Sequence, residues 1–248
     1  MEKEKDDFMK KAFDTLVKRG IISSDKLEAS TVTEDMIQKF EKEINITIPL
    51  ELRSYLKSYS HSLKILGTPL PLEYIDDPEI MNLINKKTPE ELAALDEEDK
   101  PDVEVVWSEM LAVPKEDPLK PLRDNIKQLR EMTKYVKNEE VTEASVLQFI
   151  PIANWLCAGP LCIDTTRTKE ELNYDDMDTW QLRWFDHEEM DWKFMKYMKE
   201  DDTVVGQPLF PDFETFIKLY FYGVWDQLYE HQLKMDEEDL PDKSTWCK

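Results

Sequence analysis

Between Val146 and Glu188 three β-type runs follow one another closely: "VLQFIPIA", "LCIDTT" and "WQLRWFDHE". In the last of these Trp180, Leu182 and Trp184 alternate with polar or charged neighbours, the period of a strand that buries one face. A run of neighbouring strands with so few crossovers implies an antiparallel sheet, and helical patterns before and after it supply the cover. The fold class expected is therefore α+β, an antiparallel sheet flanked by N-terminal and C-terminal helices. The run "KFMKYMK" reads equally as strand or helix.

The flanking helices are marked by spacing and by caps. An N-terminal helix within residues 1–20 carries Phe8, Met9, Ala12, Phe13, Leu16 and Val17 at helical intervals, and Gly20 is placed to stop it. A second begins near Thr33, whose hydroxyl caps free N–H groups while Glu34 and Asp35 favour the positive end of the helix dipole. Its inward stripe is Met36, Ile37, Phe40 and Ile44. After "NITI", Pro49 suits the first turn of a third helix with Leu52, Tyr55, Leu56 and Tyr59 on one face. A final long helix starts near Asp212 with Phe213, Phe216, Ile217, Tyr220, Val224 and Trp225 inward. An acidic tail, 236–248, closes the chain.

Residues 64–145 differ, because eight prolines from Pro69 to Pro121 cut the segment into short pieces. "TPEELAAL" reads as a helix with Thr88 and Glu91 at capping-box spacing. "PLRDNIKQLREMTKYV" reads as a longer one using Leu122, Ile126, Leu129 and either Tyr135 or Val136. These apolar stripes make the segment a largely helical insert packed on a single domain that spans residues 1–248; a disordered linker lacks them.

Charge narrows the functions. Fifty-four acidic against 32 basic residues give a net charge of −22, which repels phosphate backbones and anionic headgroups. The partner expected is a basic protein, with no nucleic acid and no membrane. No run of eighteen apolar residues occurs and "MEKEKDDFMK" lacks a signal-peptide core, so the location expected is cytoplasmic. Cys157, Cys162 and Cys247 do not make a disulfide framework, which agrees with a reducing compartment. Nothing in the sequence sets an oligomeric state.

The order of elements and the residues themselves resemble the SUKH superfamily of Smi/Knr-like domains. "TEDMIQKFEKEINITIPLELRSYLKSYS" is similar to the family's opening, with Ile48, Pro49, Leu52, Arg53, Tyr55 and Leu56 in its helix, extended piece and proline-started helix. "FIPIANWLCAGPLCIDTT" resembles the central hairpin through Phe149, Ile150, Pro151, Ile152, Gly159, Cys162, Ile163 and Asp164; "WFDHE" resembles the strand that follows. "LFPDFETFIKLYFYG" resembles the closing helix through Phe213, Phe216 and Ile217. The likeness covers residues 33–60 and 146–223. A departure is "SYSHSL", where the family commonly has an Asn-Gly-Gly turn. The resemblance implies a noncatalytic protein-binding domain: an immunity protein that neutralises a secreted polymorphic toxin, many of which are nucleases, or a regulatory scaffold with a cellular partner.

The candidate binding residues lie in the run from Glu170 to Asp202, where twelve acids face only Arg183, Lys193, Lys196 and Lys199. Asp175, Asp176, Asp178, Asp186, Glu188, Glu189 and Asp191 form the expected acidic rim, with Trp180 or Trp192 as aromatic anchors. The competing view makes the same run a solvated face whose aromatics are core. Enzymatic alternatives are thin. Asp164, Asp186, His187 and Glu188 offer acid, base or metal-ligand chemistry, but no second cluster converges on them. Cys157 and Cys162 are too widely spaced for a zinc knuckle, and His61, His187 and His231 are the only imidazoles available to activate a thiol. The cysteines are expected as small fillers on the inner side of a hairpin. No cofactor motif occurs, so no cofactor, metal or catalytic residue is assigned.

Overall fold

The computed structural model describes residues 2–67, 106–174, 176–188, 190, 192 and 205–223. Among them are helices α1 (Glu2–Lys18), α2 (Glu34–Ile44), α3 (Leu50–Ser58), α4 (Lys120–Met132) and α5 (Phe213–Tyr220). The strands are β1 (Glu28–Ala29), β2 (Tyr59–Ser60), β3 (Lys64–Gly67), β4 (Val106–Met110), β5 (Phe149–Asn154), β6 (Pro160–Asp164), β7 (Leu182–Trp184) and β8 (Gln207–Phe210). β1 and β2 form a small antiparallel pair. The other six make one antiparallel meander in chain order, β3-β4-β5-β6-β7-β8. The chain is thus α+β, with helices before and after an antiparallel sheet.

The caps behave as the sequence predicts. Thr33 accepts the Met36 N–H at 3.3 Å, and α2 ends on Asn45 in the left-handed conformation. Asp212 accepts the Thr215 N–H at 2.6 Å to start α5. At the other end of α5, Arg19 donates to the Tyr220 and Phe221 carbonyls at 2.5 and 3.0 Å. A cation at a helix C-terminus meets the negative end of its dipole, so this contact ties the end of α1 to the end of α5.

α2, the extended "NITI" piece and α3 are joined through Arg53. Its guanidinium pairs with Glu34 and Glu41, its Nε donates to the Ile48 carbonyl at 3.0 Å, and Glu41 in turn accepts the Ile48 N–H at 2.6 Å. The arginine of the family-like motif is therefore a structural fork, satisfying a backbone segment that belongs to neither helix.

Both faces of the sheet are covered. On one, Ile150, Ile152, Leu161, Ile163, Leu182 and Leu209 pack with the buried faces of α1, α2, α3 and α5. On the other, Phe149, Cys162 and Phe185 pack with Leu129, Val141, Val146, Trp192 and Val205. The alternation in "WQLRWFDHE" does put Leu182 inward, but its neighbour Arg183 is also fully buried. Arg183 donates to the Asp178 carbonyl at 2.8 Å and lies 3.9 Å from Asp164. Asp164, 2% exposed, also accepts from the Thr166 N–H and hydroxyl at 3.0 and 2.6 Å. Its lone pairs are engaged in holding β6 to the following turn and to the buried arginine.

Segment 64–145 gives the sheet two strands, β3 and β4, with Gly67 opposite Val106. That exceeds the role of a packed elaboration. α4 follows its predicted stripe, with Leu122, Ile126 and Leu129 buried. Of the two alternatives for its end, Val136 packs on the second cluster and Tyr135 is 75% exposed. "TPEELAAL", "KFMKYMK", Val224, Trp225 and the acidic tail lie outside the described residues.

Candidate protein-binding surface

The hairpin between β5 and β6 is built on unusual backbone. Leu156 and Cys157 both adopt left-handed conformations, at φ 51° and 54°, which for side chains with a Cβ costs roughly 1–2 kcal/mol per residue. The turn is held by Trp155, buried in the main core with Phe210, Phe216 and Tyr220 around it, and by Ser108, whose hydroxyl accepts the Leu156 N–H at 2.8 Å. Gly159 closes it at φ 144°, where a Cβ would sit 2.0 Å from the Phe185 carbonyl oxygen. The His187 N–H donates to the Ala158 carbonyl at 2.8 Å. The Asp186–Glu188 turn is thereby fastened to the hairpin. Cys162 fills the inner side as expected, with burial pushing its thiol pKa up, whereas Cys157 is exposed.

Beside this hairpin lies a cleft of about 420 Å³. One wall is α4, through Asn125, Gln128 and Met132; the other is made by Glu109 of β4, Pro151, Ala153 and Asn154 of β5 and the start of β6, with His187 at the edge. Glu109 is paired with Lys64 at 2.6 Å, both side chains half-exposed or more, and that contact raises the Lys64 pKa. Among the described residues, no lysine or arginine lines the cleft.

The acidic residues predicted as a rim divide into three groups. Glu188 is exposed, and Asp186 beside it accepts the Glu188 N–H at 2.7 Å, so these two present carboxylates next to the cleft-lining His187. Asp176 and Asp178 are half-buried at a short helical turn, where Asp176 accepts the Asp178 N–H at 3.2 Å. Asp175, Glu189 and Asp191 lie outside the described residues.

The aromatic anchors require correction. Trp180 is 1% exposed and Trp192 is fully buried, each with its indole N–H donated to a carbonyl, that of Asn173 at 3.3 Å and that of Asp186 at 2.8 Å. Trp192 packs edge-on against Phe185. Trp192 belongs to the cluster on the second sheet face, Trp180 is buried apart from it, and both indoles hold the loop carbonyls beneath the acids; they present no ring to a partner.

Of the residues weighed for catalysis, Asp164 is buried and committed to Thr166 and Arg183, as described above. Among the described residues, no group of three His, Cys, Asp or Glu side chains is placed to hold a metal ion. No described helix is long and apolar enough to cross a membrane. The cleft residues Glu109, Asn125, Gln128 and Asn154 were absent from the sequence-based candidates, because they come from separate segments and share no motif.

Compared with known proteins, the chain matches the family described as SMI1 / KNR4 family (SUKH-1) over residues 31–219. That span runs from the cap of α2 to the last turn of α5, and includes both strands contributed by the 64–145 segment. No curated protein and no solved structure matches the chain significantly.

Proposed function

The chain belongs to the SMI1 / KNR4 family (SUKH-1), and from that premise we propose that it acts by binding another protein, as an immunity protein that neutralises a secreted toxin. The observation that carries this reading is family membership joined to a net charge of −22. A nuclease toxin needs a basic face for phosphates, and an acidic binder covers such a face by shape and Coulomb attraction. Asp176, Asp178, Asp186 and Glu188 are the described carboxylates assigned to contact it, with Asp175, Glu189 and Asp191 from the same run. No bond is made or broken: occupancy of the toxin's substrate channel is the whole mechanism, acting in the cytoplasm.

The test is co-expression with the toxin encoded beside the gene, followed by binding kinetics. Reversal of Asp186 and Glu188 to lysine is expected to lower the association rate about tenfold at low salt and to flatten its salt dependence. Unchanged rates and unchanged protection would remove this surface from the reading. The second reading is a regulatory scaffold of the same family with a cellular partner. It is favoured if no toxin gene adjoins and a stable cellular complex depends on the same carboxylates.

A further inference from the structure

We propose that the cleft between α4 and strands β4 to β6 takes an extended, basic peptide segment of the partner protein; this rests on the protein-binding reading above and gives it a specific grip. The cleft's volume of about 420 Å³ falls in the range of pockets that enclose a ligand of a few residues. It has a helix on one side and strands on the other.

The lining chemistry selects a peptide. Asn125 and Gln128 are three residues apart on α4, so they share one face, and Asn154 stands on the strand side. Each carboxamide carries both a donor and an acceptor, the complement of the alternating N–H and C=O groups of an extended backbone. Met132 and Pro160, both partly exposed, give apolar surface between them, and the thioether adapts its shape to varied side chains.

Charge sets the sign. Among the described residues Glu109 is the one carboxylate lining the cleft; Lys64, outside the lining, pairs with it, and Asp186 and Glu188 flank His187 at the edge. A lysine or arginine on the peptide competes with Lys64 for Glu109, while an acidic peptide meets the like charges of Glu109, Asp186 and Glu188. Asn154, Gly159 and Pro160 carry the lining up to the hairpin whose turn holds the left-handed Leu156 and Cys157. Strain of this kind persists only where the surroundings over-determine it, which holds the lining residues on either side of the turn in place.

The experiment pans a displayed library of random hexapeptides against the full-length chain, then measures selected peptides by fluorescence anisotropy. Selected sequences are expected to be rich in Lys or Arg and poor in Asp and Glu. Asn125→Arg with Gln128→Arg should weaken them about tenfold or more, and Glu109→Gln should weaken the basic ones several-fold. Gln128→Arg alone, at an exposed position, serves if the double variant loses its fold by circular dichroism. Lys127→Glu, away from the cleft on the same helix, should leave binding unchanged. No selected peptide, acidic selected peptides, or binding indifferent to Gln128→Arg and Glu109→Gln would each overturn the proposal. The two readings fail separately: basic peptides held in the cleft with no toxin protection sink the immunity reading alone, whereas toxin binding lost on reversal of Asp186 and Glu188 with an empty selection sinks the cleft alone.

Discussion

His61 provides a built-in acid sensitivity whose size follows from its surroundings. It is 6% exposed, its ring stands 5.0 Å from Phe13 and 5.1 Å from Tyr55, and neither ring nitrogen has a hydrogen-bond partner among the described residues. Burial among aromatic rings penalises the charged imidazolium and pushes its pKa from 6.5 down to about 4. Because the folded-state pKa is the lower one, the unfolded chain takes up the proton first. Stability is therefore complete above pH 6.5 and falls as pH drops toward 4, where the loss levels at about 3 kcal/mol. At pH 5.0 the expected loss is about 2 kcal/mol. His61→Phe keeps the ring and the backbone bridge to Val113, and removes the titration. Urea melts of both proteins at pH 7.5 and 5.0, followed by tryptophan fluorescence, should show the wild type losing about 2 kcal/mol more than the variant over that interval. All carboxylates titrate alike in the two, so they cancel. Parallel pH profiles would refute the assignment of a neutral, desolvated imidazole.

Three other perturbations test separate parts of the fold. Gly159→Ala places a Cβ against the Phe185 carbonyl, so thermal melts should show a loss on the order of 3 kcal/mol or an unfolded chain. Arg53→Ala strands Glu34, Glu41 and the Ile48 carbonyl together and should cost about 2 kcal/mol in urea melts. Glu214 sits against Lys169 at 2.7 Å and Lys5 at 2.5 Å; burial works against its charge, but the lysines prevail and hold its pKa at about 2. Its contribution is present above pH 4.5 and lost as pH falls toward 2, so Glu214→Gln should flatten the acid limb below pH 4.5 in a melt series.

The helices were legible because each buries one side. Spacing at Phe13 and Leu16, a hydroxyl at Thr33 and a carboxylate at Asp212 are local signals, and local signals survive in a sequence. β3 and β4 were not legible: each is four or five residues long, and neither shows enough alternation to stand out among the prolines. Arg183 misled for a related reason. A polar residue opposite Leu182 reads as solvent-facing, unless a second layer, built from α4 and the residues around Trp192, covers that face. The same second layer turns Trp192 from an expected anchor into core, and Trp180 is buried with its indole N–H on the Asn173 carbonyl. The cleft was invisible because Glu109, Asn125, Asn154 and His187 meet only through the register of three strands and one helix.

The pairing of Gly67 with Val106 carries a consequence for how such a chain diversifies. β3 and β4 are adjacent antiparallel strands at one rim of the meander, so any tip that joins Gly67 to Val106 starts and finishes on paired neighbours. Lengthening a tip adds only a logarithmic closure entropy and asks no strand to change neighbours. Relatives can therefore grow or shrink at this point while the cleft, the arginine fork and the closing helix keep their registers.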